Sequence, residues 1–146
     1  MPRLIGPLLL VFLSLLPAVG WAQSDTASVP ESDRTAIRQV IEGQLAAFQK
    51  DDGAAAFSYA SPFIQSKFGT PDIFMDMVRT GYRSVYRPRE VEFRDLVSQE
   101  GRLFQKVFLI GPDGESVLAL YEMQRQPDGS WKINGCILTR APDQNV

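Results

Sequence analysis

Apolar residues recur at helical spacing through the first half of the chain and alternate through the second, and the change of period falls at Pro88. Ile37, Val40, Ile41, Leu45 and Phe48 lie three and four positions apart, which predicts a helix capped by Ser32 or Asp33 and running to about Lys50. Asp51-Asp52-Gly53 breaks it, and Ala54 to Tyr59 reads as a short second helix stopped by Ser61-Pro62. Phe63 to Gly69 reads as a brief turn. Thr70-Pro71-Asp72 sets a hydroxyl before a proline at the first helical position and opens a third helix to about Tyr86. Its apolar stripe is Phe74, Met77, Val78, Tyr82 and Val85, and Pro88 ends it.

Four strands follow, at Glu90 to Ser98, Arg102 to Ile110, Glu115 to Gln126 and Ser130 to Ala141. Two of their short turns carry Pro-Asp-Gly, at Pro112-Asp113-Gly114 and Pro127-Asp128-Gly129, and such turns join antiparallel neighbours. In the second strand Leu103, Val107 and Leu109 point one way while Phe104, Phe108 and Ile110 point the other, so both faces are apolar. The prediction is an α+β domain with three N-terminal helices packed in the concave face of a curved four-stranded antiparallel sheet. The outer face then needs a second cover, most simply a second copy in a homodimer.

The chain has 146 residues, 45% of them hydrophobic and 22% charged, which suits one globular domain. Its start differs from the rest. Met1-Pro2-Arg3 carries a cation, Leu8 to Leu16 is an apolar run, and Gly20-Trp21-Ala22 supplies small residues for cleavage. Residues 1–22 are therefore expected to be a signal peptide cleaved after Ala22, followed by a flexible leader at 23–32, the domain at 33–141 and a tail at 142–146. The expected location is periplasmic or secreted. The apolar stretch is broken by Gly6, Pro7, Ser14 and Pro17 and falls short of a spanning helix, so stable membrane insertion is not expected.

Cleavage removes one of 15 cations, Arg3, and none of 17 acids, leaving a net charge of −3. A surface of that sign does not attract nucleic acid. The single cysteine, Cys136, has no partner within the chain and reads as a small core residue. The absence of histidine removes Ser-His-Asp and Cys-His triads and the usual zinc sites, and no glycine-rich phosphate loop is present. Neither a metal nor a cofactor is expected.

Three stretches carry a resemblance: Ala46-Ala47-Phe48-Gln49-Lys50-Asp51-Asp52 with Ala56-Phe57, the Tyr82 helix, and the ending Asp128-Gly129-Ser130-Trp131-Lys132-Ile133. Over about Asp33 to Leu138 the chain resembles the nuclear transport factor-like, or cystatin-like, superfamily of α+β cones. Tyr121-Glu122-Met123 and Trp131-Lys132-Ile133-Asn134-Gly135-Cys136 make it similar, more narrowly, to an exported bacterial family of unknown function within that superfamily. The resemblance implies the fold and leaves the function open, because isomerases, dehydratases, epoxide hydrolases, transport factors and immunity proteins share the scaffold.

Candidate site residues are the polar side chains set among apolar ones, since burying an unpaired polar group costs about 1–3 kcal/mol. Asp95 shares a strand face with Val91, Phe93 and Val97; Tyr121 with Val117, Ala119 and Met123; Glu122 with Leu118 and Leu120; and Asn134 with Cys136 and Leu138. Trp131 and Ile133 read as core. Asp95 at the mouth of the cone could act as a general base, with Tyr82 or Tyr121 as an electrophilic partner. Isomerase cones of the ketosteroid type pair a strand aspartate with a tyrosine and a protonated aspartate. Here the first helix carries no tyrosine and the last two strands no aspartate. Arg79, Arg83 and Arg87 recur every fourth residue, a row suited to an anion or an acidic partner, or to a solvated face paired with Asp72 and Asp76. Tyr86, Arg79, Arg83 and Glu122 are the ligand-binding candidates. The reading that results is a non-catalytic module binding a small apolar ligand or a protein. Its alternative is a histidine-free enzyme of isomerase, dehydratase or hydrolase type acting on a small apolar substrate through Asp95.

Overall fold

The computed structural model describes residues 29–141. The expected signal peptide, the leader up to residue 28 and the tail at 142–146 lie outside the described residues.

The first helix, α1, spans Glu31–Gln49 and starts ahead of the expected serine or aspartate cap. No side chain caps it. The carbonyl of Pro30 instead accepts the amides of Asp33 and Arg34, at 3.0 and 3.1 Å, while Glu31 and Asp33 place negative charge against the positive end of the helix. Its buried stripe is Ile37, Ile41, Gln44, Leu45 and Phe48. Tyr59 packs directly over Gly43 on that helix: a Cβ there would fall 2.6 Å from the Tyr59 ring and would have to displace it.

Helix α2 covers Gly53–Ser58, with the Asp52 carboxylate accepting from the Ala55 amide. The expected turn after Ser61 is instead a helix, α3, over Pro62–Phe68. Ser61-Pro62 acts as its cap and first residue, not merely as the stop of α2: the Ser61 hydroxyl accepts from the Ile64 amide, and Gly69, at φ 79°, closes the far end. Helix α4 spans Pro71–Gly81 behind the Thr70 cap.

The long third helix expected to reach Tyr86 is divided. Tyr82 leaves helical geometry at φ −132°, and a single turn, α5, follows over Arg83–Tyr86. Gly81 weakens the helix at that point, and the Tyr82 hydroxyl is held by the sheet, donating to the Cys136 carbonyl at 2.9 Å. The arginines at 79, 83 and 87 therefore do not form one helical row.

The sheet is built as expected, from β1 (Glu90–Gln99), β2 (Arg102–Ile110), β3 (Ser116–Arg125) and β4 (Trp131–Arg140), antiparallel and in chain order. Glu100 and Gly101 turn β1 into β2 with φ of 52° and 73°, the handedness that follows strand twist in a two-residue hairpin. The helices cover the face carrying Leu96, Val107, Leu109, Ala119, Tyr121, Met123 and Ile133, all buried against Ile37, Ile41, Phe48, Phe74 and Val78. Trp131, expected in the core, is only half-buried. It lies at the sheet's end, with Nε1 donating to Asp33 at 3.3 Å and the Arg125 guanidinium 5.4 Å above the ring.

Two irregularities in register redirect side chains. One lies between Phe93 and Leu96 in β1; the other sets Asn134 as an extra residue in β4, opposite the step from Glu122 to Met123. The outer face carries Phe104, Phe108, Leu118 and Leu120, partly covered by arginines: Arg94 lies 4.5 Å from the Phe108 ring and Arg102 5.2 Å from that of Phe104. Among the described residues no helix is long and apolar enough to cross a membrane.

Candidate functional site

Helix α3 makes only half of an edge contact with the sheet. The Ser61 amide donates to the Ile133 carbonyl at 2.8 Å and the Ile133 amide to the Tyr59 carbonyl at 2.9 Å, so the chain entering α3 runs beside the first part of β4. Beyond Asn134 the two diverge. Between them opens a cavity of about 270 Å³, just below the roughly 300–1,000 Å³ usual for small-molecule sites.

Its walls are mainly apolar. Phe74 stands at the centre of an aromatic group, 5.7 Å from Phe68 and 6.3 Å from Phe48 between ring centres, and Val78, Val85 and Ile133 complete the lining. At the rim Phe63 and Lys67, four residues apart on α3, stand across from Ile137 on β4. Phe63 and Ile137 are 64% and 56% exposed, so two of the large apolar side chains left in water on this domain flank one opening.

Three polar groups meet at the inner end. Tyr121 and Cys136 face each other across β3 and β4, and Tyr82 reaches the same point by its bond to the Cys136 carbonyl. The Tyr121 residue is 1% exposed, and its hydroxyl has no hydrogen-bond partner, the one buried side-chain polar atom of the described residues in that state. Burial pushes its phenol well above the ordinary value of 10.0, with the neighbouring Cys136 adding to the shift. Burial likewise raises the Cys136 thiol to about 12 and, with Cys136 again contributing, raises Tyr82. At neutral pH the inner end is uncharged. The amides nearby are committed: Gln44 Nε2 donates to the Ala56 carbonyl at 3.1 Å, and Asn134 Oδ1 accepts from Ser61 at 2.7 Å. Among the described residues Lys67 is the one charged side chain lining the cavity and forms no ion pair with any other of them; it lies 5.6 Å from the Phe68 ring centre.

Of the residues the sequence nominated, Tyr82 and Tyr121 come together here. Glu122 does not. It points to the outer face, where Arg102 grips it with two bonds of 2.8 and 2.7 Å and Asn134 adds another, all holding its carboxyl below 4.5. Those residues help line a second concavity of about 370 Å³, in which Arg102, Glu122 and Asn134 satisfy one another while Arg125 and Trp131 bond to Asp33.

Asp95 lies elsewhere. The irregularity after Phe93 breaks the alternation that put it with Val91, Phe93 and Val97: Phe93 pairs with Val107 on the inner face, Val97 with Phe104 on the outer, and Asp95 is exposed. Arg79 and Arg87 converge on Asp51 at 3.7 and 3.0 Å, and the Tyr86 hydroxyl donates to the same carboxylate. Arg83 pairs separately with Asp113 at 3.4 Å.

Gln44, Lys67 and Phe63 were not nominated. Gln44 was detectable, as an amide on the buried stripe of α1 beside Ile41 and Leu45, whereas Lys67 and Phe63 acquire a shared face only once α3 is a helix. Among the described residues no group of three potential ligands could hold a metal ion.

Residues 30–146 match the family described as Domain of unknown function (DUF4864), and the chain belongs to that family. No curated protein and no solved structure matches it.

Proposed function

We propose that this domain is a non-catalytic module that holds a small, largely apolar molecule in the cavity between α3, α4 and β4. The single observation behind this reading is the Tyr121 hydroxyl, buried and unpaired at the inner end of an apolar pocket. An orphaned hydroxyl costs about 1–3 kcal/mol, a cost removed when a ligand oxygen bonds to it. Binding without turnover is favoured because no carboxylate is among the described lining residues and the inner tyrosine and thiol stay protonated at neutral pH.

Native mass spectrometry of the protein isolated from its own host tests the proposal. A small-molecule adduct that vanishes on denaturation is the expected result. Strictly unliganded protein that also fails to gain thermal stability from a panel of small apolar compounds would overturn it.

The module is, in this reading, a nuclear transport factor-like cone delivered to the periplasm or secreted after cleavage behind Ala22. The charged start, apolar run and Gly20-Trp21-Ala22 support that, and N-terminal sequencing of the mature protein checks it. Its outer sheet face, apolar at Phe104, Phe108, Leu118 and Leu120, supports pairing with a second copy; a strict monomer in sedimentation at micromolar concentration would count against the dimer.

A further inference from the structure

We infer that the ligand of this cavity is an amphipathic acid: a compact apolar or aromatic body, a neutral oxygen at its inner end and a carboxylate at the rim. This rests on the binding reading above and adds the chemistry and the direction of the bound molecule.

The polarity of the cavity runs in one direction. At the inner end Tyr121 offers a hydroxyl with no partner, beside a protonated thiol and a Tyr82 hydroxyl already donating to a carbonyl. A carboxylate there would lose its hydration and gain one donor, whereas a hydroxyl or carbonyl oxygen needs only that donor. At the rim the situation reverses. Among the described residues Lys67 has no carboxylate partner, and none of those lining the cavity is acidic to offset its charge. Phe63, four residues before Lys67 on the same helix, and Ile137 opposite would cover the body of a ligand whose charged end stays in water beside the ammonium.

Three probes separate the contributions: 3-(4-hydroxyphenyl)propanoate, its methyl ester, which lacks the charge, and 3-phenylpropanoate, which lacks the hydroxyl. Their affinities are measured by titration calorimetry on the mature chain and on Lys67→Gln and Tyr121→Phe. Lys67 is exposed, so its variant should fold, and thermal melting verifies both variants. The hydroxy acid is expected to bind best. Lys67→Gln should weaken both acids about three- to fivefold and leave the ester unchanged, the scale of one exposed charge pair. Tyr121→Phe should erase an advantage of about tenfold that the hydroxy acid holds over 3-phenylpropanoate. An ester that binds wild type as tightly as the acid, or a Lys67→Gln loss shared equally by acid and ester, overturns the acid while leaving a binding cavity intact. Equal affinity of the two acids for wild type overturns the role of Tyr121. Failure of all three probes, with no small-molecule adduct in native mass spectrometry, removes this inference together with the reading beneath it.

Discussion

Two corners of this small domain treat polar groups in opposite ways. Where α1 meets α5, Asp51 receives the Tyr86 hydroxyl and the Arg87 and Arg79 guanidiniums, Arg87 also donates to the Phe48 carbonyl, and its guanidinium stacks 3.9 Å from the Tyr86 ring. Each of these three charges has a partner. Between α3 and β4, among the described residues, the Tyr121 hydroxyl has none and Lys67 has only the Phe68 ring. Charged residues marked the first corner as the more chemical of the two, yet saturation makes it a clamp. The quieter corner keeps binding capacity unspent, and that is the mark of a site.

Phe48 belongs to both, since its ring lines the cavity and its carbonyl receives Arg87, so Phe48→Ala should break the comparison most severely. A loss of about 4 kcal/mol is expected in denaturant unfolding, because the side chain is 1% exposed. A loss below about 1 kcal/mol would mean that the two corners do not share a core.

Tyr121→Phe should sharpen it. Deleting an orphaned hydroxyl is expected to stabilise the unliganded domain by about 1 kcal/mol, against the usual direction of a core substitution, while weakening ligand binding. Destabilisation by a similar amount would show that the hydroxyl has a partner after all.

The same contrast should appear in the pH dependence of stability. The Tyr86 hydroxyl, with Arg87 and Arg79, holds Asp51 below 3.8, so its contribution is present above that value and is lost as acid takes the pH down through the folded pKa. Cys136 runs the other way: burial raises it from 9.0 to about 12, so its protonated state favours the fold below pH 9, and that contribution is lost as the pH rises toward 12. Cys136→Ala should therefore make the alkaline limb shallower, leaving the part that the raised Tyr82 and Tyr121 phenols contribute, and leave the acid limb alone, as read from melting temperatures across pH. An unchanged alkaline slope would place the thiol in water.

The smallest effect belongs to Asp95→Asn. On an exposed irregular stretch away from the cavity, it should change stability by less than about 0.5 kcal/mol and ligand affinity not at all. A marked loss of either would tie Asp95 to the site from a distance.

How far the sequence could be read depended on whether a signal was local. The strands were legible because alternation and Pro-Asp-Gly turns act over a few residues, and α1 was legible from its buried stripe. Ser61-Pro62 shows the limit, since the same pair that stops α2 also caps and starts α3, and propensity alone does not choose between an ending and a beginning. Asp95 shows another. One extra residue in a strand reverses every face beyond it, and nothing in Glu92-Phe93-Arg94-Asp95-Leu96 marks where that residue falls. Tyr121 was readable as a polar group among apolar neighbours, but its lack of a partner was not, because the polar groups around the cavity come from α1, from Tyr82 between α4 and α5, and from β4.

The amino-acid sequence by itself determined the α+β layout, the order and direction of the strands, and Tyr121 as a hydroxyl set among apolar neighbours, since each follows from periodicity and turn chemistry within a short window. Only the tertiary structure decided that Tyr82 turns from its helix to hold β4, that Arg79 and Arg87 close on Asp51, and that α3 stands away from β4 to leave a cavity over Tyr121. Those outcomes depend on distances between segments far apart in the chain, and a distance of that kind is set by how the side chains of all the elements pack at once.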